Sequence, residues 1–78
     1  MTEDELMQEI ADNISYMLED SRMTQKELAR ICGVTEATIS RYINAERMPS
    51  LPNLLRIAYG LCCELTDLVV WTGEYIES

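Results

Sequence analysis

The chain has 78 residues, 47% of them hydrophobic, and a formal net charge of −8: a single domain is expected, with enough apolar residues for a core and no separate catalytic or ligand domain within these residues. It holds no His and no Phe, three Gly and two Pro. The commonest general base is therefore missing, no enzyme activity is expected, a β-sandwich or barrel is disfavoured, and Leu, Ile and Met must fill the core of an all-α fold.

The first ten residues, MTEDELMQEI, place no basic run ahead of an apolar stretch. Neither a signal peptide nor a membrane span is expected, and the location is expected to be cytoplasmic. Leu6, Ile10, Ile14, Met17 and Leu18 recur at intervals of three and four, the stripe of an amphipathic first helix that runs to about Ser21. Thr2 or Asp4 could cap it, and Glu3, Asp4 and Glu5 suit the positive end of its dipole. Thr24-Gln25-Lys26-Glu27 has the form of a capping box and opens a second helix with Leu28, Ala29 and Cys32 inward. Gly33 ends that helix, and Thr35 caps a third over 36–44. On the third helix Ile39, Tyr42 and Ile43 lie on one side, and Ala37, Ser40, Arg41 and Asn44 on the other.

Met48-Pro49 breaks the chain, Ser50 caps a fourth helix, and Pro52 is tolerable only in its first turn. Leu51, Leu54, Leu55, Ala58 and Leu61 are expected on its buried face. A short fifth helix over about 65–71 turns Leu65, Leu68 and Val69 inward, so the core spans about 6–70. Residues 71–78 form an apolar and acidic tail with Trp71, Tyr75 and Ile76. Cys32, Cys62 and Cys63 have no metal or redox spacing; they are expected to be reduced thiols, with no metal or other cofactor.

Charge is segregated along this order. Residues 1–21 carry seven acids and no base, whereas all six basic residues fall between Arg22 and Arg56, against only Glu27, Glu36 and Glu46. A polyanion responds to that local field rather than to the net charge. On charge alone, cations that merely solvate helices remain the competing explanation.

Five short helices with a tight turn between the second and third are the layout of a helix-turn-helix domain. The crossing requires a small residue where the backbones meet (Ala29), a residue at ease with positive φ at the turn (Gly33) and an apolar plug (Ile39). Leu28, Val34 and Tyr42 supply the remaining apolar positions of the motif, which spans Gln25–Asn44.

On these residues the sequence resembles the Cro/repressor-type (XRE) helix-turn-helix family, through TQKELARICGVTEATISRYINAERMPSL and LLRIAYGLCCELTDL. The resemblance implies the lambda-repressor-like fold and a sequence-specific regulator, a repressor that binds double-stranded DNA at a palindromic operator as a homodimer, with helix 36–44 in the major groove. It assigns Glu36, Ala37, Ser40 and Arg41 to the base-facing positions, and Gln25, Lys26, Thr35, Thr38, Asn44 and Arg47 to phosphate. Arg41 suits the O6/N7 edge of guanine. Glu36 either accepts from cytosine N4 or serves as a helix-start carboxylate. The hydroxyls of Ser40 and Thr38 fit phosphate or the helix surface better than a base edge.

The chain departs from the family at three places. Asn44-Ala45-Glu46-Arg47 stands where a common family loop is Asn-Gly followed by a cation, and Glu46 opposes phosphate. Leu18 and Ile43 occupy positions where many relatives pair an Arg with a Glu. Cys62 takes the place of a helix-ending Gly or polar residue, and is expected to be exposed.

Trp71, Tyr75 and Ile76, together with the fifth helix, are assigned to a homodimer interface, or else Trp71 caps the core of its own domain. A different class of function on the same fold is a protein-interaction module that works through the acidic first helix, as an antitoxin binds a toxin.

Overall fold

The structure, a computed structural model, describes residues 2–69. Among these residues there are five α-helices and no strand: α1 (Glu3–Ser21), α2 (Gln25–Cys32), α3 (Glu36–Ile43), α4 (Leu51–Gly60) and α5 (Leu65–Leu68). None is long and apolar enough to cross a membrane.

The helix starts follow from side-chain chemistry. Thr2 and Glu5, and again Thr24 and Glu27, form reciprocal capping boxes that satisfy two free backbone N–H groups each. The Thr2 backbone N–H donates to Glu5 and holds that carboxyl below the usual carboxylate range. Thr35 and Ser50 cap α3 and α4 through single hydroxyl acceptors.

Three helices end in the same way. A residue in the left-handed region lets the next N–H reach back to a free carbonyl, as in Val34 N to Ala29 O (3.0 Å), Glu46 N to Arg41 O (2.8 Å) and Cys63 N to Ala58 O (2.9 Å). Only the first of these ends uses glycine, Gly33 at φ 71°; the others use Ala45 at 56° and Cys62 at 55°. A Cβ in this conformation crowds the neighbouring carbonyl, at a cost of about 1–2 kcal/mol that glycine avoids. Ala45→Gly should therefore stabilise the domain by about 0.5–1 kcal/mol once the added unfolded-chain entropy is subtracted. A urea titration reads this as a higher midpoint at unchanged slope.

The core gathers Leu6, Ile10, Ile14 and Leu18 of α1, Leu28, Ala29 and Cys32 of α2, Ile39 and Tyr42 of α3, Leu54, Ile57 and Ala58 of α4, with Leu61 and Leu68. Ala29 and Ile39 thus share one cluster, as the motif requires. α2 packs on α3 and α4, α1 on α3 and α5, and α4 on α5. Asn13 Nδ2 donates to Leu68 O at 2.9 Å and fixes the end of α5 to α1. Met17 and Val69 pack against the core only in part.

The fourth helix corrects the sequence expectation. Leu51 and Leu55, expected inward, are 60% and 50% exposed, and Ile57 is fully buried in their place. The buried positions 54, 57, 58 and 61 follow the helical repeat, so the stripe is rotated toward α2. α5 ends at Leu68, with Val69 already extended; the expected continuation to 71 and the tail 71–78 lie outside the described residues.

Candidate nucleic-acid interface

The third helix is positioned from behind by three elements. Ile39 is fully buried and Tyr42 nearly so, against α2 and α1. The buried phenol is not left unsatisfied: Asn53 Nδ2 of α4 donates to Tyr42 Oη at 2.9 Å, and Arg56 Nη1 donates to Asn53 Oδ1 at 2.8 Å. This relay clamps α3 to α4. Sequence reading missed Asn53 because it falls one turn into a helix, where its polar side chain carries no pattern of its own.

The opposite face of α3 is the candidate interface. Glu36, Ala37, Arg41 and Asn44 are exposed, and Ser40 is half-buried. Positions 37, 41 and 44 fall on one side at helical spacing, and small residues at 37 and 40 leave Arg41 standing clear. Lys26, Arg30 and Arg47 are exposed as well. Among the described residues, no hydrogen bond or ion pair engages the side chains of Lys26, Arg30, Arg41 or Arg47. Four unpaired cations in a chain of net charge −8 are a concentration of positive potential in one segment.

The hydroxyls expected at phosphate are partly committed. Thr35 Oγ1 accepts the Thr38 N–H at 3.1 Å as the α3 cap, and the two threonine hydroxyls share one hydrogen bond at 2.8 Å. One hydroxyl proton of the pair is left to donate outward. Ser40 Oγ accepts from Asn44 Nδ2 at 3.3 Å, a long bond that a stronger acceptor could displace. Gln25 is half-buried in the first turn of α2. It lines a recess of about 300 Å³ with Ser15, Leu18, Glu19, Met23 and Ile43. The Leu18 and Ile43 positions thus meet at one recess between α1 and α3.

Cys62 is exposed and Cys63 half-buried. Burial, then the nearby Asp67, pushes the Cys63 thiol up, so it holds its proton. Among the described residues, no group of three or more metal-ligating side chains is assembled. The expected interface residues Trp71, Tyr75 and Ile76 lie outside the described residues.

Comparison with known proteins agrees with this architecture. The helix-turn-helix family model matches residues 14–68. No curated protein sequence matches the chain. Among solved structures, the fold is similar to that of a hypothetical transcription factor from Neisseria, at 23% identity and a TM-score of 0.79, over 95% of this chain and 86% of that one. It is also similar to the SOS-response transcriptional repressor LexA from Eubacterium rectale, at 20% identity and a TM-score of 0.80, over 100% of this chain and 83% of that one. At those identities the likeness is one of fold. The family match covers the capped second helix, the Gly33 turn, the third helix and the buried positions that hold them together, and on it the chain belongs to the helix-turn-helix family of DNA-binding transcription regulators.

Proposed function

We propose that the chain is a sequence-specific repressor that binds a palindromic operator as a homodimer, with α3 in the major groove. The observation that carries this reading is Arg41: exposed, without a partner among the described residues, and on the face of α3 opposite the buried Ile39 and Tyr42. Packing gives no reason for an arginine there, and its paired donors match guanine O6 and N7. Glu36, Ala37 and Ser40 complete the base-facing set. Gln25, Lys26, Thr35, Thr38, Asn44 and Arg47 surround it as phosphate contacts that fix register without reading sequence. Repression is steric: a dimer seated on a promoter excludes polymerase. Trp71, Tyr75 and Ile76 add apolar surface to the dimer, whose two α3 helices would lie about 34–36 Å apart, one turn of DNA.

Base-reading and phosphate-binding arginines differ in what their loss does. Arg41→Ala should cost about 1–3 kcal/mol on the preferred site and relax the choice at one base pair, while binding to random sequence changes less. Arg47→Ala should weaken all sequences alike and flatten the logarithmic salt slope by about 0.9. Selection from random duplexes, followed by salt titration of the winners, separates the two. Unchanged site preference in Arg41→Ala would remove Arg41 as the reader.

A rival reading draws on the exposed surface of α1, where Asp12, Glu19 and Asp20 lie one turn from Tyr16, itself 68% exposed, and Glu3, Asp4 and Glu5 add acid at the N-terminal end of the helix. A basic protein partner would seat there. Tight binding of such a partner, with DNA affinity no greater than an acidic control protein's, would favour this reading.

A further inference from the structure

One apolar feature serves neither the core nor the α3 face. Leu51, Leu55 and Tyr59 of α4 are 60%, 50% and 81% exposed. Spaced by four, they form a continuous ridge that drifts only about 40° around the helix at each step. The flank of α4 that carries Asn53 and Gly60 is covered: Asn53 bonds Tyr42 of α3, and a Cβ on Gly60 would meet Ile31 and Leu28 of α2 at 3.1 Å. The ridge lies on the other side of the buried row 54, 58 and 61, facing solvent.

Resting on the dimeric reading above, and deepening it, we infer that this ridge is the self-association surface and that its occupant is the same ridge of a second copy. Charge selects that occupant. α1 carries seven acids and no base, whereas α4, LPNLLRIAYG, carries no acid, and its one cation, the exposed Arg56, lies off the ridge and donates to Asn53. In a chain of net charge −8, two copies approaching through α1 repel each other, α2 and α3 present the cations of the candidate DNA face, and the ridge itself is uncharged. Geometry agrees. Two ridges of i, i+4, i+8 spacing interdigitate at a crossing angle of about −50°. A two-fold arrangement with the helices antiparallel sets Leu55 against Leu55 at the axis and Leu51 against Tyr59 on either side.

The three side chains present on the order of 300 Å² per copy, as much as the largest apolar patch of a typical monomer. That is a small interface, below the size of standard stable complexes, so the free protein should associate only weakly, and an operator would tighten it by holding two copies together.

The test is sedimentation equilibrium of the full chain, with circular dichroism to show that each variant keeps its helices. All three positions are exposed, so the fold should tolerate change there. Leu51→Lys and Tyr59→Glu should each weaken association at least tenfold. The double variant should regain most of it, because the introduced ammonium of one copy then meets the introduced carboxylate of the other; within one helix these positions lie two turns apart and cannot pair. An equimolar mixture of the two single variants should likewise form heterodimers.

Absence of association in the unaltered protein up to about 1 mM would overturn the inference. So would failure of the double variant to recover, or association that survives the ridge variants but is lost in Trp71→Ser/Tyr75→Ser/Ile76→Ser, which would move the interface to the tail. Binding to a duplex bearing one half-site is read in parallel. If the protein associates through the ridge but no duplex is selected, the repressor reading fails and the ridge stands. If duplexes are selected while the ridge variants associate normally, the ridge fails and the repressor reading stands.

Discussion

Ala29→Glu should abolish the folded state at neutral pH. Ala29 is 3% exposed and belongs to the α2 surface on which α3 packs. Its own carbonyl accepts the Val34 N–H at 3.0 Å across the turn. A glutamate there must either bury an ionised carboxylate with no cation beside it or push the two helices apart. Either costs several kcal/mol, against a total stability of about 5–15 kcal/mol for a domain and toward the low end for one this small. Far-ultraviolet circular dichroism should lose its helical signal, and urea should produce no cooperative transition. Arg30→Glu, one position along, is the control. Arg30 is exposed and has no partner among the described residues, so its replacement should cost no more than about 1 kcal/mol, the effect of an acid at the C-terminal end of α2. A cooperative Ala29→Glu domain within about 1 kcal/mol of the parent would show that α2 and α3 do not cross as described.

Leu18→Arg should cost about 2–4 kcal/mol, less than the 3–5 kcal/mol expected when a charge is left unpaired in a sealed site. Leu18 is 7% exposed, and the recess it lines opens to solvent, with Glu19 also lining it. The guanidinium can therefore reach water in part. Ile43 faces the same recess from α3. Adding Ile43→Glu should return about 1–2 kcal/mol as coupling between the two new charges. A complete double-mutant cycle in urea measures this directly. Zero coupling would mean that the two side chains do not address each other, and that the apolar pair does not stand in for an ion pair.

The parts of this fold that sequence reasoning reached were those with a local chemical cause. A hydroxyl three residues ahead of a carboxylate marks the start of α2, whereas the sequence leaves the cap of α1 open between Thr2 and Asp4 and the structure places it at Thr2. Glycine at 33 marks a left-handed turn, and the apolar spacing within α1 and α3 marks their inner faces. What escaped needed tertiary information. On α4, leucines at 51, 54 and 55 and alanine at 58 fit a plausible inward stripe. Only the placement of α2 and α3 decides that Ile57 and Gly60 go inward and Leu51 and Leu55 do not. Ala45 and Cys62 are left-handed although neither residue type announces that conformation, so it could not be read from the sequence. At the candidate interface, the outward row of α3 could be read from its period. The mutual engagement of Thr35 with Thr38, and of Ser40 with Asn44, could not, because hydroxyls and amides choose among several near neighbours.

The absence of acid from α4 also bears on how large an assembly can grow. A two-fold contact is closed: each copy's ridge is consumed by the other, and neither offers a second ridge for a third molecule. What such a pair turns outward includes α1, whose length carries seven of the chain's fourteen acids. On the proposed pairing, such pairs would meet like charge to like charge, which opposes growth of the apolar contact into a fibre or a precipitate.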